Sequence, residues 1–410
     1  MITRAGVVAL VLALTPVSPA MAQQGGECRP PAPRGQPLPT AAGPAPVIAR
    51  LGFDRAHELA TGAGVLAGVV DSGVDWSHPK LGGAVPAPGT QIGDQGPPGP
   101  GRALDCAGHG TAVAGLLAAR PGDDPRVAGI APGASIYPVR FATPIENLPR
   151  GQLAAGIRDA ADHRVRVLNL SFALAVDDPA VRDAIAYAQA RDVVVVAAAG
   201  NEAQSQPGQT WYPAAYPGVL AVAAVNAQGL PLAQSNSGPW VGIAAPGENL
   251  TTTAPGGGYL AVTGTSFATP LVTGAAALIR QRYPELPAPQ VIDRLKSAAV
   301  RVSGRPDERS GAGVLDPYAA LTVPDAALPS SSLRPGGLVR MAPMPAGTDD
   351  SRATRIALAW SGILASLAML AAIGALAVRR AAKRGWAAGP LPRTAREERG
   401  TPGPPDTELV

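Results

Sequence analysis

Lysine is almost missing from this 410-residue chain: Lys80, Lys296 and Lys383 are its only lysines, and arginine supplies the rest of the basic charge. Charged residues of both signs make up only 16% of the sequence, and the formal net charge is +4. Most of the basic excess sits near the C-terminus, in Arg379, Arg380, Lys383, Arg384, Arg393, Arg396 and Arg399. A domain that grips nucleic acid needs a basic face, and the body of the chain offers none, so no nucleic-acid partner is expected. With 4 histidines and 2 cysteines scattered along the chain, no metal site shows ligand spacing, and neither a metal nor a cofactor is expected. Apolar residues, by contrast, reach 46%, ample for a sizeable core and too many for a chain disordered throughout.

Both ends carry targeting signals. Arg4, the apolar stretch from Val7 to Leu14 and the small residues Ala20-Met21-Ala22 follow the order of a secretory signal, with cleavage expected after Ala22. Near the other end, residues 356–378 read IALAWSGILASLAMLAAIGALAV, with no charge and enough length to cross a bilayer as a helix. The basic cluster after Val378 outweighs Arg352 and Arg355 before the span, which places the C-terminus in the cytoplasm and the bulk of the chain outside it. The two cysteines, Cys28 and Cys106, both fall in the exported part. A disulfide between them is the expectation, and two unpaired thiols are the alternative.

The division expected from these signals is a signal peptide (1–22), a Pro-rich arm (23–49), a folded domain (50–322), a linker (323–355), the transmembrane helix (356–378) and a cytoplasmic tail (379–410). Within the domain, VLAGVV (65–70), VRVLNLSF (165–172), VVVVAAA (193–199) and VLAVAAV (219–225) are short, nearly continuous apolar runs, as strands buried on both faces of a parallel sheet must be. Helical patterns alternate with them: after His109, after Gly151 and after Asp178, then FATPLVTGAAALIRQRY and APQVIDRLKSAA. That alternation predicts a doubly wound α/β domain. The stretch from His78 to Cys106 is so rich in Pro and Gly that it reads as a long irregular surface loop.

In open α/β sheets, working residues gather at the carboxyl ends of strands and at the helix N-termini that follow. Three positions fit and supply complementary chemistry: Asp71 after the strand VLAGVV, His109 at the start of a helix, and Ser266 at the start of another. An alcohol is a poor nucleophile at neutral pH and needs an imidazole to take its proton and a carboxylate to orient that imidazole. Asn201, directly after a strand and beside Gly200, can offer its amide with the Ser266 backbone N–H to a developing oxyanion. Each residue alone has a plainer explanation, a helix cap for Ser266 and turn formers for Asp71 and Asn201. The remaining histidines, His57, His78 and His163, read as structural.

Together VVDSGVD, GHGTAVAG, AAAGN and GTSFATP resemble the Asp, His, oxyanion-hole and Ser motifs of the subtilisin-like serine proteases, in that family's order. The resemblance covers roughly residues 50–321. It implies the subtilisin-like doubly wound parallel sheet flanked by helices, with one C-terminal transmembrane helix added, and a serine endopeptidase acting on protein or peptide substrates. Nucleophile, base, orienting acid and oxyanion donor carry over to Ser266, His109, Asp71 and Asn201. The family's peptide-binding edge corresponds to residues 168–174, so Ser171, Phe172, Ala173 and Gly200 are expected to line the substrate, Ala173 standing where relatives often have Gly. The signal peptide, Pro-rich arm, cysteine beside GHGT and terminal membrane helix further resemble the mycosins, membrane-anchored proteases of type VII secretion systems. Mycosins generally carry a second cysteine pair, which is absent here. The stretch between Ala22 and Asp71 is also too short for a large inhibitory pro-domain, so the arm is expected to wrap the finished domain. The rival expectation is a scaffold subunit that stabilises a secretion complex, with catalysis secondary.

Overall fold

The computed structural model describes residues 35–38, 51–93, 105–122, 127–141, 145–301, 306–324, 378–380 and 383. The chain divides into two compact units, Met1–Leu333 and Arg334–Val410. In the second, residues 378–380 and 383 are helical. Among the described residues no helix is long and apolar enough to cross a membrane. The expected signal peptide, most of the arm with Cys28, the linker beyond Pro324 and all of the expected span except Val378 lie outside the described residues.

In the first unit, β1 (Leu66–Asp71), β2 (Thr90–Ile92), β3 (Ser135–Phe141), β4 (Val167–Leu170), β5 (Val194–Ala198), β6 (Leu220–Val225) and β7 (Val241–Pro246) form one parallel sheet in the order β2-β3-β1-β4-β5-β6-β7. A separate antiparallel hairpin joins β8 (Leu250–Thr253) and β9 (Tyr259–Val262). The helices are α1 (Phe53–His57), α2 (His109–Ala118), α3 (Arg150–Asp162), α4 (Pro179–Gln189), α5 (Thr265–Arg282), α6 (Ala288–Ala298) and α7 (Pro317–Thr322). Helices α2 and α5 pack together on one face of the sheet, and α3 and α4 cover the other.

The unbroken apolar runs follow from this sandwich. Along β5, Val194 and Val196 enter the core under α5, while Val195 and Ala197, like Val193 just before the strand, enter the core under α3 and α4. Successive side chains alternate faces, and with both faces covered neither set can be polar. The four expected strands appear as β1, β4, β5 and β6. Of the sheet's three other strands, β2, β3 and β7, the first two lacked that signature. β3 contains Pro138, and β2 lies inside the stretch expected to be irregular, where Thr90–Ile92 pairs with β3. Proline fits in β3 because Ile136 N, two residues earlier, points toward the β2 side to reach Ala84 O. The N–H that Pro138 lacks therefore falls on the side where β2 begins only with the pair Thr90↔Val139.

The hairpin docks on α2 through side chains. Thr252 Oγ1 donates to Ala112 O at 2.7 Å and Thr253 Oγ1 donates to Thr111 O at 2.8 Å. Gly115 makes this approach possible, since a Cβ there would lie 2.3 Å and 2.5 Å from those hydroxyls. Gln36, from the arm, exchanges two backbone hydrogen bonds with Tyr259 of β9.

Candidate active site

Strand β1 lies between β3 and β4, where the winding of the sheet reverses, and the crevice beyond the carboxyl ends at such a switch point is where α/β proteins bind ligands. Asp71 is the last residue of β1 and is 1% exposed. Its Oδ1 accepts from Ser72 N at 2.7 Å and from His109 Nδ1 at 2.7 Å, and its Oδ2 is buried with no hydrogen-bond partner. A carboxylate only accepts, so the proton of the neutral imidazole sits on Nδ1 and Nε2 carries the free lone pair. His109 opens α2, and its side chain is 33% exposed. The ring packs on Phe267 of α5, with centroids 5.0 Å apart. Ser266, the residue before Phe267, is the second residue of α5. Neither His109 Nε2 nor Ser266 Oγ has a hydrogen-bond partner among the described residues. Burial disfavours the charged imidazolium, but the charge and hydrogen bond of Asp71 and the charge of Asp105 outweigh it and hold the His109 pKa above its ordinary 6.5.

The start of α5 is secured by an unusual exchange. Pro270, inside the helix, has no N–H to return to the carbonyl four residues earlier, which is that of Ser266. Ser171 Oγ donates to Ser266 O at 2.7 Å instead, and is itself held by Asn169 Nδ2 at 2.8 Å. Asn169, the one polar residue of β4, accepts in turn from Thr273 Oγ1 at 3.0 Å. The Ser171 side chain thus anchors the helix that carries Ser266.

Asn201 stands beside the same helix start. Its Oδ1 accepts from Thr265 N at 2.9 Å and from Thr265 Oγ1 at 3.2 Å. With the oxygen committed inward, the Nδ2 group is left to donate outward. Gly200 has φ 98°, a left-handed conformation that favours glycine, and its N–H donates to Thr265 Oγ1 at 3.1 Å. A Cβ at Gly200 would stand 3.1 Å from Ala173 Cβ, so Ala173 and Gly200 face each other. Ser171, Phe172 and Ala173 run past the last ladder pair of β4, Leu170↔Ala197. The Phe172 ring is buried edge-on to Phe141.

The structure also brings in residues the motifs did not single out. Asp105, 2% exposed, accepts from Ser72 Oγ at 2.8 Å, Gly108 N at 2.8 Å and Thr111 N at 2.7 Å. An acidic residue four positions before a helix-opening histidine was the available signal. Thr265, fully buried, links Gly200 to Asn201, and only its place in GTS pointed to it.

The other histidines serve the fold. His57 Nε2 bonds Ile130 O at 2.8 Å, buried His78 bonds Gly258 O at 2.9 Å, and His163 stacks on Tyr137. Among the described residues, no group of three or more His, Cys, Asp or Glu could hold a metal ion.

Comparison with known proteins accords with this geometry. The Subtilase family matches residues 62–313. Mycosin-1 of Mycobacterium tuberculosis is 34% identical over 398 residues, covering 82% of this chain and 84% of its own. A solved structure described as the serine protease MycP1, an essential component of the type VII (ESX-1) secretion system, superposes with a TM-score of 0.61 at 34% identity, over 71% of this chain and 91% of that one. A chain of an intact ESX-5 inner membrane complex superposes with a TM-score of 0.62 at 27% identity, over 85% of this chain and 96% of that one.

Proposed function

The chain is a serine endopeptidase of the subtilase family, and on that premise we propose that Asp71, His109 and Ser266 form the relay that cleaves its protein substrates. The observation that carries the reading is the 2.7 Å bond from His109 Nδ1 to Asp71, made with the imidazole against the residue that follows Ser266. Ser266 Oγ attacks the scissile carbonyl as Nε2 of His109 takes its proton, and Asp71 stabilises the imidazolium that forms. The oxyanion meets Asn201 Nδ2 and the Ser266 backbone N–H. The imidazolium gives its proton to the leaving amine as the C–N bond breaks, and the neutral imidazole then activates the water that hydrolyses the acyl-enzyme and frees Ser266.

Two results follow. Activity requires neutral His109, so kcat/KM should fall as pH drops through a value above 6.5, because Asp71 holds the imidazole pKa up. An acid limb lying well below 6.5, measured on a fluorogenic peptide, would contradict the hold of Asp71 on the imidazole. Asn201→Ala should lower kcat by about 100- to 1,000-fold with little change in KM, since the Nδ2 bond to the oxyanion forms only in the transition state, and should lower the melting temperature because Thr265 loses its bonds to Asn201 Oδ1; the kcat figure comes from subtilisin, another subtilase. An equal rise in KM would instead mark Asn201 as a ground-state contact.

The segment 356–378 anchors the enzyme in the cell membrane, with the catalytic domain outside and the basic tail in the cytoplasm. The cleft edge formed by Ser171, Phe172, Ala173 and Gly200 receives the peptide, and Cys28 pairs with Cys106. The likeness to mycosins and to a chain of the ESX-5 complex supports work within a type VII secretion membrane complex. It also favours a second role, as a structural subunit of that complex. Secretion that survives Ser266→Ala but is lost on deletion of the gene would assign the essential role to structure.

A further inference from the structure

Helix α2 begins without a side-chain cap of its own, because its N-cap is Gly108, at φ 80°. The open N–H groups of the first turn must be satisfied elsewhere. Asp105, three residues before the cap, takes Gly108 N at 2.8 Å on Oδ1 and Thr111 N at 2.7 Å on Oδ2, with Ala107 N at 3.2 Å also on Oδ1. Ser72 Oγ accepts from Gly110 N at 3.0 Å and donates to Asp105 Oδ1 at 2.8 Å. Ser72 is also the residue whose N–H fixes Asp71 Oδ1, the acceptor of His109 Nδ1. One buried carboxylate therefore ties the first turn of α2 to the end of β1, with His109 and Asp71 between the tied points. A carboxylate set only to stabilise the loop would not need to reach both elements.

We propose that Asp105 is a positioning residue for His109: it locks the start of α2 onto the end of β1, so that the imidazole keeps its place beside Asp71 and against Phe267. This rests on the catalytic reading given above. Because Asp105 also bears charge close to the ring, it acts on the base in a second way that a structural brace would not. The charged groups acting on His109 are Asp71 from β1 and Asp105 from the loop before α2; from α5 the ring meets Phe267.

The test uses the full-length chain with Asp105→Asn and Ser72→Ala. Two quantities are measured: the pH midpoint for diethyl pyrocarbonate modification of His109, read by peptide mass spectrometry, and kcat and KM on a peptide. For Asp105→Asn the expected midpoint is lower than in the wild type, since a nearby negative charge is lost. Its kcat should fall by about 10- to 100-fold with KM unchanged, because a small displacement of the base is felt mainly in the chemical step. Ser72→Ala, which cuts the tie and keeps the charge, should lower kcat with KM unchanged and leave the midpoint in place. A lowered melting temperature with midpoint and kcat both at wild-type values would overturn the proposal and leave Asp105 a stabilising residue. Should Asp105→Asn fail to fold, an unaltered kcat in Ser72→Ala overturns it equally. The modification midpoint needs no turnover, so a wild-type chain inactive on peptides would defeat the catalytic reading while the midpoints still decide whether Asp105 acts on His109.

Discussion

Ser266→Ala is expected to lower kcat by roughly a million-fold, the size of loss found when the nucleophile is removed from subtilisin, while substrate binding and folding persist. The fold should tolerate the change because Ser266 Oγ bonds to nothing among the described residues. The contacts that secure this turn belong to its backbone: Ser266 O receives Ser171 Oγ, and the neighbouring Thr265 holds Asn201. Only the reacting atom is removed. What remains is the oxyanion site and the binding cleft, which together retain a modest residual acceleration over water. KM and the melting temperature should match wild type. A variant that loses activity together with its cooperative melting would show that the hydroxyl serves the fold.

Asp71→Asn is expected to lower kcat by about 10⁴-fold, for a reason visible in its hydrogen bonds. Both donors, Ser72 N and His109 Nδ1, converge on Oδ1, and Oδ2 is buried without a partner. An asparagine has two ways to fill this site. With its oxygen in the Oδ1 position, it keeps both bonds but buries an unsatisfied NH₂ and offers the imidazolium no charge. With its NH₂ there, a donor meets Ser72 N, and His109 must put its proton on Nε2, the atom that has to accept from Ser266. Either arrangement impairs the base, and neither touches the nucleophile or Asn201. Measured kcat should therefore fall less than in Ser266→Ala, and the acid limb of the pH profile should move down, since the charge that raised the His109 pKa is gone. An acid limb that stays in place would mean that Asp71 does not govern the imidazole.

How much of this could be read from residues alone depended on whether a local pattern or a distant partner set the outcome. Strands β1, β4, β5 and β6 were legible because burial on both faces leaves no room for polar residues, and the helices between them because their apolar spacing is local. Strand β3 was not, since Pro138 and Arg140 break the apolar run. Its proline is tolerated only through the position of β2, three residues long and embedded in Pro- and Gly-rich chain. The same division runs through the site. Asp71, His109, Ser266 and Asn201 each stand at the end of a strand or the start of a helix, and the sequence shows those boundaries. The bonding of Ser171 to Ser266 O depends on a carbonyl freed by Pro270 on another element, which no spacing announces. Asp105 was hidden for a like reason. Its partners are Ser72, just beyond β1, and the first turn of α2, and no local spacing joins the three.

Labelling with a fluorophosphonate, followed by mass spectrometry of the modified peptide, tests the relay most directly. The account predicts one adduct on Ser266 in the wild-type chain and none in His109→Ala, where no base remains to activate the hydroxyl. Labelling of Ser266 that proceeds undiminished without His109, or an adduct on a different residue, would contradict it.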